Sequence, residues 1–384
     1  SKPIRELMQD VPDAVRALCP VFLMSPLSAA KYLPAAAKPF DLVVFDEASQ
    51  IPTGEAIGPL SRGRAAVICG DPKQLPPTDF FSVKRTYDDD DDPDQASMES
   101  VLDDSLAISM PEERLLWHYR SRSESLIAFS NANFYGNSLF TFPSVDDVQS
   151  KVSLVRVQGT YGKGAERTNP AEAEAIVAET IRRKRDPATK NDSIGIVTFS
   201  VAQGNLIEDL LEERLAKYHT RLYLEDLKSP ERIFVKNLES VQGEERDVIL
   251  FSVCYGPDAG GKLSLNFGPL NGKNGYRRLN VAVSRARKEM VAFASFDPDI
   301  MPASTNPGVN YLASFLRYAS HGKQFALTKG DLRRAVRPLS EDIARALEKR
   351  GYHTAVEVGA SRFKVDVAVF DPEQPGRYLL GICI

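Results

Sequence analysis

A chain of 384 residues exceeds what one ordinary hydrophobic core supports and predicts two or three domains. With 43% hydrophobic and 26% charged residues, no apolar run near the roughly 20 residues of a membrane helix and no charged-then-apolar leader, a soluble cytoplasmic protein is expected. The net charge of -4 argues against coating nucleic acid by bulk electrostatics, which draws on clustered Lys and Arg, and leaves room for a local basic groove.

In chain order, residues 1–80 alternate helix-like and strand-like segments. DLVVF (41–45) and AAVIC (65–69) are short apolar runs, each followed by polar residues. That pattern predicts parallel α/β strands buried on both faces, with ligands beyond their carboxyl ends. Residues 81–113 read as an acidic linker or insertion. The six aspartates between Asp88 and Asp94 repel one another and lack EF-hand spacing, which predicts a solvated loop rather than a cation site. Residues 114–325 form a second α/β region, with strands expected at 152–157, 194–199, 233–235, 248–253 and 290–295 and helices at 170–185 and 201–218. The first helix ends in RRKR, read as a cationic last turn that complements the helix dipole, with a phosphate-contact patch as the alternative. Residues 326–384 make a third piece: a helix over 340–350 stopped by Gly351, then two strand-like runs, FKVDVAVF and RYLLGI. Cys19, Cys69, Cys254 and Cys383 are far apart, without a C-x-x-C pair and with only four His in the chain. They predict reduced, mostly buried thiols rather than a zinc site or a disulfide framework.

The stretch LVVFDEASQIP runs an apolar strand into two adjacent acids. A strand can fix Asp46 to hold Mg²⁺ and Glu47 to orient and deprotonate a water attacking a γ-phosphate. Alone the pattern is weak. The next strand leads into GDPKQLPPT, where Gly70 and the prolines make a fixed turn and Gln74 offers an amide to a phosphate.

Together DEASQ and GDPKQLPPT resemble motifs II and III of superfamily-1 helicases, in the branch that includes the nonsense-mediated-decay helicase. WHYRSR (117–122) resembles motif IV, which implies adenine stacking by Tyr119 and γ-phosphate contact by Arg120. ESVQGEERD (239–247) resembles motif V, implying ribose bonding by Glu245. YRRLNVAVSRAR (276–287) resembles motif VI, whose arginine finger falls on Arg285. The five motifs keep the family's order. They imply two RecA-like α/β domains of the P-loop NTPase class, the first incomplete, and a cleft joining Asp46, Glu47, Gln74, Arg120, Glu245 and Arg285.

No G-x-x-x-x-G-K-[ST] phosphate loop occurs in these residues. In the family it lies upstream of motif II, so a piece of a longer helicase is expected, one that alone binds ATP poorly and does not hydrolyse it. CPVFLMSPLSAAKYLP, before the acids, resembles a segment that lies along single-stranded nucleic acid. Ser25 and Pro26 would face backbone phosphates, with a strand and turn feeding the first sheet as the alternative reading. The tail resembles the opening of a Vsr-like, restriction-endonuclease-like domain. Asp366 matches its first metal-binding acid, but Ile382, Cys383 and Ile384 stand where a second is expected, so cleavage by this chain is not expected.

The resulting expectation is a motor fragment that uses ATP and Mg²⁺ on single-stranded or duplex nucleic acid, with DNA favoured over RNA through the nuclease-like tail and no membrane partner. The rival is a non-catalytic nucleic-acid-binding scaffold, which has no physical need for DE, Gln, YR and SRAR together.

Overall fold

The computed structural model describes residues 3–34, 37–77, 100–146, 148–162, 166–272, 274–322, 338–374 and 376–384. The acidic run after Tyr87 and the start of the third piece lie outside them. The chain packs as two compact units, Ser1–Arg114 and Leu115–Ile384. Among the described residues no helix is long and apolar enough to cross a membrane.

The first unit runs α1 (Ile4–Asp10), α2 (Pro12–Leu18), α3 (Pro26–Tyr32), β1 (Val43–Phe45), α4 (Thr53–Leu60), β2 (Ala66–Ile68) and α5 (Val101–Ala107). β1 and β2 pair in parallel, Phe45 opposite Ile68. One sheet face packs Phe45 with Ala56 of α4 and Val101 and Leu102 of α5. Burial on both faces was expected, and the other face overturns it: Val44 is 58% and Val67 45% exposed, because no described element covers them. The strand alternative for the segment before α3 also falls. Ser25 and Pro26 start a helix: Ser25 Oγ accepts from Ser28 N at 3.2 Å and Pro26 takes the first helical turn, where its missing N–H costs nothing.

The second unit continues with α6 (Ser125–Phe134), β3 (Val152–Arg156), α7 (Pro170–Arg185), β4 (Ile194–Thr198), α8 (Val201–Tyr218), α9 (Thr220–Lys228), β5 (Phe234–Asn237), β6 (Arg246–Ser252), α10 (Gly275–Val283), β7 (Ala286–Ala294) and α11 (Pro307–His321). Its five strands form one parallel sheet in the order β3-β7-β6-β4-β5. The helix at 170–185 has the predicted bounds: Asn169 Oδ1 caps Glu172 N at 3.2 Å, and Ala173, Ile176, Val177 and Ile181 present one apolar face to the sheet. α8 likewise starts at the Ser200 cap and buries Ile207, Leu211 and Leu215 at fourfold spacing. Strand bounds moved more. β5 begins one residue and β7 four residues later or earlier than expected, since charged Arg287, Lys288 and Glu289 hide β7's start from an apolar reading.

The unit closes with α12 (Pro338–Glu348) and an antiparallel sheet, β8 (Thr354–Val358), β9 (Val365–Phe370) and β10 (Tyr378–Ile382), in the order β10-β9-β8. Gly351 follows α12 with φ +90°, a conformation that suits a residue without Cβ. β8 was not anticipated, because Glu357 breaks its apolar run. The cysteine expectation is corrected: Cys254 is buried, but Cys19, Cys69 and Cys383 are exposed, each standing just past the end of its element.

Candidate functional site

In the first unit the candidate residues stand beyond the carboxyl ends of β1 and β2. Asp46 and Glu47 are both exposed. Asp46 Oδ1 accepts from Glu47 N at 3.0 Å, and Glu47 adopts φ 51°, ψ 40°, a left-handed geometry costly for a residue with a Cβ. The turn is held to the neighbouring strand by Ala48 N, which donates to Cys69 O at 2.8 Å. The two turns approach so closely that a Cβ on Gly70 would stand 3.0 Å from Ser49 N and 2.9 Å from Leu102 Cδ2. In the second turn Gln74 N and Nε2 donate to Asp71 O and Oδ2, both at 3.0 Å, and Lys73 N donates to Asp71 Oδ1 at 2.8 Å. Gln74 Oε1 is buried with no hydrogen-bond partner among the described residues. Asp46, Glu47 and Gln74 therefore share one sheet edge, while Ser25 and Pro26 serve as the start of α3.

In the second unit the residues gather at the amino ends of β6 and β7. Arg120 Nε pairs with Glu245 Oε2 at 2.8 Å, both side chains remaining partly exposed. Arg287, which the motif reading passed over, grips Glu231 with two nitrogens at 2.9 and 2.7 Å and stands 3.6 Å from Glu245 and 3.4 Å from Asp247. Its hydrogen bonds hold the Glu231 carboxyl below the usual carboxylate range. Arg122 N donates to Arg287 O at 2.8 Å, so the YRSR segment lies against the SRAR turn. Arg285 is only 2% exposed: its Nε donates to Val281 O at 2.8 Å and its Nη2 to Ser284 Oγ at 3.2 Å. His118 was also missed. Burial, then the charges of Arg120 and Arg285, push its imidazole down to about 4, so it is neutral at pH 7. Its Nε2 accepts from Ser121 N at 3.2 Å. Tyr119 is 93% exposed, its ring open for stacking.

The remaining sequence candidates lie elsewhere. In the RRKR turn, Arg182 and Arg183 pair with Glu179, Arg183 also with Glu289, and Lys184 Nζ donates to Asp192 O. Asp366, 4% exposed on β9, accepts from Ile384 N at 2.7 Å. Glu357 stands opposite it in the ladder, between the pairs Val356 with Val367 and Val358 with Val365. Among the described residues no group of three or more His, Cys, Asp or Glu is placed to hold a metal ion.

Two family models, both described as AAA domain, match residues 25–81 and 95–297. The chain belongs to this AAA-domain family, and proteins it is similar to are named helicases. An uncharacterized ATP-dependent helicase of Mycoplasma genitalium, MG140, is 33% identical over 296 residues, which cover 73% of this chain and 25% of that protein. The DNA polymerase alpha-associated DNA helicase A of Saccharomyces cerevisiae is 25% identical over 67% of this chain and 38% of its own length. The probable RNA helicase armi of Drosophila melanogaster is 25% identical over 67% of this chain and 23% of its own. The chain thus spans about a quarter of the Mycoplasma relative.

Proposed function

We propose that this chain carries most of the motor of an ATP-dependent nucleic-acid helicase or translocase acting in the cytoplasm. The observation that carries the reading is the meeting of Arg120, Glu245 and Arg287 at one end of the second sheet, from three segments up to 167 residues apart. The carboxylates of Asp46 and Glu47 fit Mg²⁺, a hard ion commonly held by one or two protein carboxylates together with phosphate and water oxygens. Gln74, its buried oxygen without a partner among the described residues, fits a water or a phosphate-bound group beside it.

Mg²⁺–ATP, when bound, supplies the electrophilic γ-phosphoryl group. Asp46 would hold the metal, and Glu47 would take the proton of the water that attacks the γ-phosphorus as its bond to the leaving ADP oxygen breaks. Gln74 orients that water or the phosphate. Tyr119 stacks on the base and Glu245 accepts from the ribose, which requires it to share or leave its bond to Arg120. Arg120 and Arg285 would spread positive charge over the transferring oxygens, Arg285 after leaving the Val281 carbonyl and Ser284 hydroxyl that hold it here.

The C-terminal helix and antiparallel sheet form, in this reading, the opening of an endonuclease-like domain. That analogy favours DNA over RNA as the track. Because an ion pair occupies Glu245, an Arg120→Ala substitution in the native polypeptide is expected to lower ATP turnover about 100-fold or more, as loss of a transition-state cation does. Turnover within twofold of wild type would remove Arg120 from the site. Comparing DNA and RNA single strands as activators of the same turnover decides the track.

A further inference from the structure

We propose that Glu124 is a positioning residue: it latches the C-terminal antiparallel sheet to the segment that carries Arg120, making the phosphate-reading geometry depend on that sheet. The latch itself rests on hydrogen bonds, and its consequence for turnover rests on the motor reading above. Glu124 is 2% exposed, immediately before α6. Its Oε2 accepts from Ala360 N at 2.8 Å and its Oε1 from the Thr141 hydroxyl. Ser361, 1% exposed, fastens the same loop: its Oγ accepts from Thr141 N at 3.1 Å and donates to Thr141 O at 3.3 Å.

A second anchor lies on the other side of Arg120. The Phe363 ring packs edge-on against Trp117, centroids 6.2 Å apart, and against Phe142 at 5.2 Å. Trp117 and Phe142 stack at 4.7 Å and 11°. Arg120 is therefore bracketed: Trp117 three residues before it and Glu124 four residues after it both end on the loop 360–363. Between the brackets the backbone is fixed by His118 N to Phe140 O at 2.9 Å and Arg122 N to Arg287 O at 2.8 Å. An apolar seam could slide, whereas a buried carboxylate that takes an N–H from the other element is costly to leave unsatisfied, so lifting the sheet away must disturb residues 117–124. Any ligand that binds the sheet and moves this loop would then change how Arg120 meets phosphate.

Hydrogen exchange on this chain tests the latch, with Glu124→Ala and the near-isosteric Glu124→Gln. Thr141→Val, which removes one hydroxyl donor at nearly constant shape, serves if the alanine variant does not fold. The expected result is exchange at the His118 and Arg122 amides about tenfold faster in Glu124→Ala and Thr141→Val, with Glu124→Gln near wild type. In the native polypeptide kcat/KM for ATP should fall about tenfold in Glu124→Ala and recover in Glu124→Gln. Faster exchange confined to 359–363, with His118 and Arg122 unchanged, would overturn the latch. A wild type without ATP turnover would remove the motor reading, and the exchange data would still decide the latch.

Discussion

Glu172 lies wholly inside the second unit and accepts from Cys254 N and Ser252 Oγ, both at 2.8 Å, and from Ser295 Oγ at 3.1 Å. Burial outweighs these bonds and raises its carboxyl to about 7 from 4.5, and it pushes the neighbouring Cys254 thiol up as well. Between pH 4.5 and 7 the folded chain then holds a proton that the unfolded chain has released, so stability should fall as pH rises through this window. Glu172→Gln keeps the shape and should flatten that slope in denaturant titrations across pH 4.5–8; an unchanged slope would show that Glu172 does not titrate there. At Gly70, Gly70→Ala should cost about 1–3 kcal/mol, since the added carbon meets the Ser49 backbone; unchanged thermal unfolding would show that the turns can part. Of the candidate residues, Asp46, Glu47, Gln74, Arg120, Glu245 and Arg285 could be proposed from sequence because each sits in a short fixed pattern. His118 and Arg287 stand inside those same patterns, yet their roles come from neighbours far along the chain, Glu231 and Asp247 among them, which no local spacing reveals.

Helices α7 and α8 were legible because cap, apolar period and stop agree at every turn. The carbonyl-end strands β1 and β2 were legible in place but not in burial, since sequence shows that Val44 and Val67 are apolar and not whether anything covers them. The strand alternative before α3 failed for a different reason: the Ser-Pro pair suits both a turn and a helix start, and here Ser25 caps the helix by accepting from the Ser28 amide. At the element scale the cap of α7 is the sharpest test. Asn169 caps the helix and also donates from Nδ2 to Ser295 Oγ at 2.7 Å and Cys254 O at 3.2 Å, so it ties α7 to the ends of β6 and β7. Asn169→Ala should destabilise the second unit by about 2–3 kcal/mol, more than a simple cap, as measured by urea unfolding. A loss near 0.5 kcal/mol would mean that the polar cluster re-forms without it.

At the scale of the whole molecule, the two units carry complementary chemistry. The first offers carboxylates and an amide beyond the carboxyl ends of its strands; the second offers arginines at the amino ends of its own. Under the proposed reading, phosphoryl transfer draws on both kinds of group, carboxylates for a metal and arginines for phosphate charge. The measurement that tests this most directly is ATP hydrolysis by the native polypeptide with and without single-stranded nucleic acid, for the wild type and for Glu47→Gln. The account predicts turnover stimulated by the strand and abolished, by about 100-fold or more, in the variant. Strand binding without ATP turnover in the wild type, or turnover that Glu47→Gln leaves intact, would contradict it.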